Sequence, residues 1–169
     1  MSSPEGAPMS DTKPFLCGPS QGKAIWHFGS LVVFRATGED TGGQYWLAEM
    51  SCNRGYGSPV HVHSNEDELF HILEGEMSIE VGGQLFDATA GDSVFLPRNI
   101  PHSYKVESDT ARTLVLGTPA GYENWFVETG TPAERLEIPA FDPSTFPDFG
   151  AVMATTQKYG GQVLGPPRD

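Results

Sequence analysis

The feature that most constrains this chain is a succession of short apolar or alternating segments cut apart by glycine, proline and asparagine. The segments AIWHFG, SLVVFRAT, QYWLAEM, LFHILEG, EMSIEVGG, QLFDATAG, DSVFLPRN, HSYKVES and RTLVLGTP follow one another through most of the sequence, which holds 20 glycines and 14 prolines in 169 residues. Each is strand-length and too short for a helix of several turns. In EMSIEV, Met77, Ile79 and Val81 take one parity while Glu76, Ser78 and Glu80 take the other. A period of two puts the first set inward and the second toward water. The pattern predicts an all-β chain, an antiparallel sandwich or small barrel with one wet face per sheet. GEDTGG at 38–43 reads as a hairpin connection between two of the strands.

The length suits one domain with a sizeable core. Residues 1–13, rich in Ser, Pro, Gly and charge, read as a mobile tail, and residues 14–169 as a single domain. Beyond Gly121 the character changes: YENWFVETGTPAERL suggests a short helix with Trp125 and Phe126 near one side. A proline-rich passage, IPAFDPSTFPDF, precedes GAVMATTQKYGGQVLGPP, read as a last helix ended at Gly160 and Gly161 with an extended tail. Ten Lys and Arg against 22 Asp and Glu give a net charge of -12, which opposes binding to nucleic acid or to an anionic membrane and directs attention to a small-molecule partner. No apolar run approaches a membrane span, and MSSPEGAPMSDTKP has neither a basic nor an apolar signal region, so a cytoplasmic location is expected. Cys17 and Cys52 form no motif and read as separate thiols.

Chemistry concentrates in two segments, GSPVHVHSNEDELFHILEG at 57–75 and GDSVFLPRNIPH at 91–102. His61 and His63, two apart on a strand, project the same way and can grip one ion together. The polar Ser64 to Asp67 let the chain bend and return Glu68 to that ion, and His102 arrives from a distant strand. Three imidazoles and one carboxylate with no thiolate suit one divalent transition metal: Fe, Mn, Co, Ni, Cu or Zn. His71 turns away by alternation, and both His71 and His27 read as structural or surface histidines. Glu49 and Asn53 lie before the first segment and are candidates for outer hydrogen bonds to the ligands, exposed polar side chains being the commoner case.

These two segments resemble the paired motifs of the cupin superfamily. Gly55, His61, His63, Glu68 and Gly75 fall in the register of the first motif, and Gly91, Pro97, Asn99 and His102 in that of the second. Asn99 stands where the family has glycine, and asparagine tolerates the left-handed backbone such a turn requires. The asparagine usual after the last histidine is missing. WHFGSLVVF, EDTGGQYWLAEM, GTPAGYENWF, GTPAE and YGGQVLGPP extend the likeness over residues 20–167, to single-domain bacterial cupins related to quercetin 2,3-dioxygenase. The resemblance implies a double-stranded β-helix with short C-terminal helices, metal ligation by His61, His63, Glu68 and His102, and a homodimer.

By the same resemblance, a flavonol would bind through its deprotonated 3-hydroxyl and be cleaved by dioxygen with loss of carbon monoxide. Glu68, if loosely held by the metal, can act as the general base for that hydroxyl. Strand parity with the ligands suggests a pocket walled by Phe70, Ile72, Met77, Ile79 and Tyr104, with Trp125 and Phe126 at its edge, although these are also the expected barrel core. Other functions use the same four ligands: a metal-dependent isomerase or cyclase without oxygen chemistry, and a non-catalytic small-molecule binder.

Overall fold

The computed structural model describes residues 12–140, 142 and 148–167. The elements run in the order Lys23–His27 (β1), Ser30–Ala36 (β2), Gly38–Thr41 (α1), Trp46–Asn53 (β3), Pro59–His63 (β4), Asp67–Glu74 (β5), Glu76–Val81 (β6) and Gln84–Thr89 (β7). Ser93–Leu96 (β8), His102–Val106 (β9), Thr110–Thr118 (β10), Glu123–Thr129 (α2), Thr131–Pro132 (β11), Phe149–Lys158 (α3) and Gly161–Pro167 (β12) complete the chain. The strands form two antiparallel sheets, ordered β11-β1-β2-β3-β10-β5-β8 and β12-β4-β9-β6-β7. An all-β architecture with few short helices is therefore what the segment pattern produces.

Alternation builds the core between the sheets. Trp46, Ala48, Met50 and Cys52 of β3 are buried, as are Ala111, Thr113 and Val115 of β10, and the two strands pair with Thr113 opposite Met50 and Val115 opposite Ala48. Met77, Ile79 and Val106 from the second sheet meet them. The same alternation turns charge outward: Arg35 reaches Glu49 at 2.9 Å, Arg112 reaches Glu49 at 3.0 Å, and Arg112 also pairs with Glu74 across four neighbouring strands. Glu49 is thus committed to an outer ion-pair ladder rather than to the histidines, and Asn53 ends β3 exposed to solvent.

Turn chemistry fixes the strand ends. Gly75, between β5 and β6, sits at φ 84, where a Cβ would lie 2.3 Å from the Thr110 carbonyl oxygen, so both backbone conformation and space demand glycine. The 38–43 connection does join the antiparallel β2 and β3, and one helical turn, α1, fills it, with the Thr37 N–H donating to the Asp40 carboxylate at 2.8 Å.

The C-terminal extended tail is a strand. β12 pairs with β4 and forms an edge of the five-stranded sheet, its register slipping between Val163 and Gly165 and again between Gly165 and Pro167. An edge position tolerates these prolines because one side of the strand needs no ladder donor. α3, whose N-terminus is capped by Asp148 accepting from the Ala151 N–H, leads into it. The tail expected at 1–13 lies outside the described residues as far as residue 11, and Thr12 and Lys13 are exposed. Half of the proline-rich passage, residues 141 and 143–147, also lies outside them. Cys17 and Cys52 are free thiols, the second buried.

Candidate metal centre

His61 and His63 stand on β4, His102 on β9 and Glu68 on β5, so the two sheets contribute together to one site. β4 and β9 meet with His61 directly opposite His102. The turn before β9 is anchored by the Asn99 N–H, which donates to the His63 carbonyl oxygen at 2.7 Å, and Asn99 itself adopts φ 63. The expected left-handed residue therefore also ties one motif to the other. The His61 and His102 rings lie 4.3 Å apart between centroids, and those of His63 and His102 5.3 Å apart.

Backbone carbonyls orient two of the imidazoles. His61 Nδ1 lies 2.8 Å from the Pro59 carbonyl oxygen and His102 Nδ1 lies 3.0 Å from that of Ile100, arrangements that place the ring proton on Nδ1 and free Nε2 to ligate. His63 Nε2 and His102 Nε2 are each 3.4 Å from Glu68 Oε2. One ligand atom from each of the four residues lies within 4.8 Å of every other, the compact spacing that one ion can bridge. His102 Nε2 is buried without a hydrogen-bond partner among the described residues, a costly arrangement for a polar atom that a cation would relieve. The donor set thus fits a transition metal.

The protonation states also fit. Burial, with help from the neighbouring His102 and His63, pushes His61 down to about 3, and burial lowers His63 against the opposing pull of Glu68. For Glu68, burial favours the neutral acid, but His63, His102 and His61 together outweigh it and hold the carboxyl low. Unprotonated imidazoles beside a carboxylate are the forms a metal takes up without first displacing protons.

The cluster opens onto a cavity of about 260 Å³ whose lining includes His61, His63 and Glu68. Phe70, Tyr104, Trp125 and Phe126 line it as well, whereas Ile72, Met77 and Ile79 are packed in the hydrophobic core and do not reach its surface. Glu68, Phe70 and Ile72 do share one parity, but only the first two lie at the end of β5 where the sheets leave space. The wall also contains Met50, Tyr56 and Tyr122, and Phe149, Val152, Met153 and Thr156 from α3. Trp125 donates its indole N–H to Thr156 Oγ1 at 3.0 Å, and Glu128 accepts from both Lys158 and Tyr159, joining α2 to α3.

A family model described as the cupin domain matches residues 48–117, a span that holds all four clustered residues. The chain is 33% identical over 136 residues to the uncharacterized protein YjlB of Bacillus subtilis, covering 68% of this chain and 79% of that one. The chain belongs to the cupin superfamily. This cupin is also 23% identical over 128 residues to the quercetin 2,3-dioxygenase of Bacillus subtilis, a match that takes in 76% of the chain but spans only 38% of the length of that relative. Among solved structures it resembles KdgF from Halomonas sp., at TM-score 0.59 and 16% identity over 67% of this chain and 99% of the other. An RmlC-like cupin from Shewanella frigidimarina gives TM-score 0.58 at 19% identity, over 68% and 99%. At such identities these likenesses concern the fold.

Some site features of this cupin were not legible beforehand. His27, expected to be structural or surface, is 2% exposed, is lowered to about 3 by burial, and lines the cavity. The alternation of β1, which buries Ile25 and His27 together, carried that signal. His71 stands away from the cluster, its Nδ1 2.8 Å from Ser93 Oγ. Glu66 sits in a polar stretch that reads as a solvated turn, yet it is 2% exposed, and burial followed by the Glu68 charge raises it to about 9. No local pattern distinguishes it from its exposed neighbours Ser64 and Asn65.

Proposed function

We propose that this cupin is a metal-dependent dioxygenase acting on a flavonol or another enolisable aromatic small molecule. The observation that carries the reading is the junction of a compact His61, His63, Glu68 and His102 cluster with a cavity walled largely by aromatic and aliphatic side chains. Those four residues would hold one divalent ion, which supplies Lewis acidity toward a substrate hydroxyl. Glu68 faces the cavity and is held as a carboxylate, so its oxygen is placed to accept the hydroxyl proton. Phe70, Tyr104, Trp125 and Phe126 offer faces and edges against which a flat ring system can stack while water is kept out. The resemblance to quercetin 2,3-dioxygenase supports this choice of substrate class.

Oxygen uptake on adding quercetin to protein reconstituted separately with Fe(II), Mn(II), Co(II), Ni(II) and Cu(II) tests the reading. Consumption above that of free metal with at least one ion is expected, and none with any metal-loaded sample would overturn the flavonol assignment. Glu68→Gln should lower turnover even where some metal is retained. Full metal content together with full turnover in that variant would remove the proton-acceptor role. A cavity of about 260 Å³ is close to the small end of ligand pockets. That size favours a compact substrate, and with it the second reading, an isomerase or cyclase that uses the same four ligands without dioxygen.

A further inference from the structure

We infer that Glu66 is a positioning residue for the metal centre, holding His63 through its outer ring nitrogen. The three histidines are not oriented alike. His61 and His102 each direct Nδ1 at the carbonyl oxygen two residues earlier, a backbone contact that side-chain substitution leaves in place. His63 has no such carbonyl. Its Nε2 is on the Glu68 side of the ring and its Nδ1 faces Glu66 Oε1 at 3.5 Å, just beyond hydrogen-bond length. Both of these atoms are buried, and neither has another hydrogen-bond partner among the described residues. Two orphaned polar atoms facing each other are best explained as a pair that closes when the opposite side of the ring is engaged.

The other Glu66 oxygen is already fixed. Trp46 Nε1 donates to Glu66 Oε2 at 3.1 Å, and Trp46 is itself wholly buried on β3. Its indole lies so close over Gly117 of β10 that a Cβ there would stand 2.1 Å from Nε1. The chain of positioning therefore runs from Gly117, which leaves room for the indole, through Trp46 to Glu66 and on to His63. A cation at Nε2 makes the Nδ1–H a stronger donor toward the Glu66 oxygen that faces it. The group required is one that accepts on both oxygens, once from Trp46 and once from His63. Glutamine cannot do this, since one of its two terminal atoms is a donor.

The inference rests on the four-ligand metal reading and not on the oxygen chemistry. Its test is the Co(II) dissociation constant, measured by competition with a chelator, together with the visible absorption of the bound Co(II), for wild type, Glu66→Gln, Trp46→Phe and Asp67→Asn. Glu66→Gln should bind Co(II) about 10–100-fold more weakly with an altered visible spectrum, while the metal-free variant unfolds close to the wild-type temperature. Trp46→Phe, which frees the Glu66 carboxyl from its tether, should show a smaller loss in the same direction. Asp67→Asn, a carboxyl-to-amide change beside Glu66 at a half-buried residue that pairs with Arg98, keeps an oxygen to accept from the Arg98 backbone N–H and should bind as wild type does. Wild-type affinity and an unchanged spectrum in Glu66→Gln would overturn the positioning role while leaving the metal centre intact. Should Glu66→Gln fail to fold, wild-type affinity in Trp46→Phe overturns it instead. A wild-type protein that takes up no Co(II) would remove the metal reading and this role with it.

Discussion

His63 links two buried carboxyl groups, since it faces Glu68 through one nitrogen and Glu66 through the other. Replacing it with alanine should lower metal content at least about tenfold relative to wild type, read by elemental analysis after dialysis against trace metal, and activity should fall with it. Activity that persists without bound metal would overturn the assignment of the centre. The four clustered residues were readable as a set because a period of two forces His61 and His63 onto one side of a strand, and because glycine and proline mark the turns around them. Glu66 was not readable: two residues from Glu68 and in a polar bend, its burial depends on Trp46 approaching from a strand about twenty residues earlier. Gly75 gives a sharper test of local sterics. Gly75→Ala must bear a positive φ and displace the Thr110 carbonyl oxygen, a combined cost of at least about 1–3 kcal/mol, measurable as a fall in the urea midpoint.

Among the elements, the strands follow directly from alternation, whereas the C-terminal pieces take their meaning from what they touch. α3 was visible as a helix, and Trp125 and Phe126 of α2 as candidates for the pocket edge, but nothing local says that α3 borders the cavity as well. The bond from Trp125 Nε1 to Thr156 Oγ1 holds this arrangement. Thr156→Val is close in shape and strands the indole N–H, so it should destabilise the protein by about 1–3 kcal/mol in thermal unfolding. It should also weaken binding of any ligand that stacks on Trp125. Unchanged stability and binding would show that the two helices do not depend on this contact. β12 was concealed for a different reason: GQVLGPP has the composition of a tail, and only pairing with β4 makes it a strand.

For the molecule as a whole, buried titratable groups set the response to pH in the metal-free protein. His27 and His61 have folded values of about 3 against an ordinary 6.5, both chiefly through burial, so between those values the unfolded chain binds protons that the folded chain refuses. Their contribution to stability is complete above 6.5 and is lost as pH falls, at about 1.4 kcal/mol per pH unit for each histidine. Glu66, raised by burial from 4.5 to about 9, acts in the opposite sense between those values. Two histidines outweigh one carboxyl below 6.5, and the carboxyl alone remains above it. Urea midpoints should therefore peak near pH 6.5 and decline on both sides; a midpoint still rising from about pH 7 to 9 would contradict this balance. No helix among the described residues is long and apolar enough to cross a membrane. A homodimer is the assembly we propose, supported by the exposed register partners Leu69 and Phe95 beside the β8 edge, and light scattering that gives only the 18.3 kDa monomer would remove it. The sequence by itself determined the all-β class, the strand phases and which three histidines and one glutamate cluster, because side-chain alternation and turn chemistry are local properties. Tertiary structure alone decided that β12 is a strand, that α3 walls the cavity beside α2, that Ile72, Met77 and Ile79 stay in the core, and that Trp46, Glu66 and His63 form a line into the centre. Each of these depends on which distant segments the two sheets bring together, and no local pattern encodes that distance.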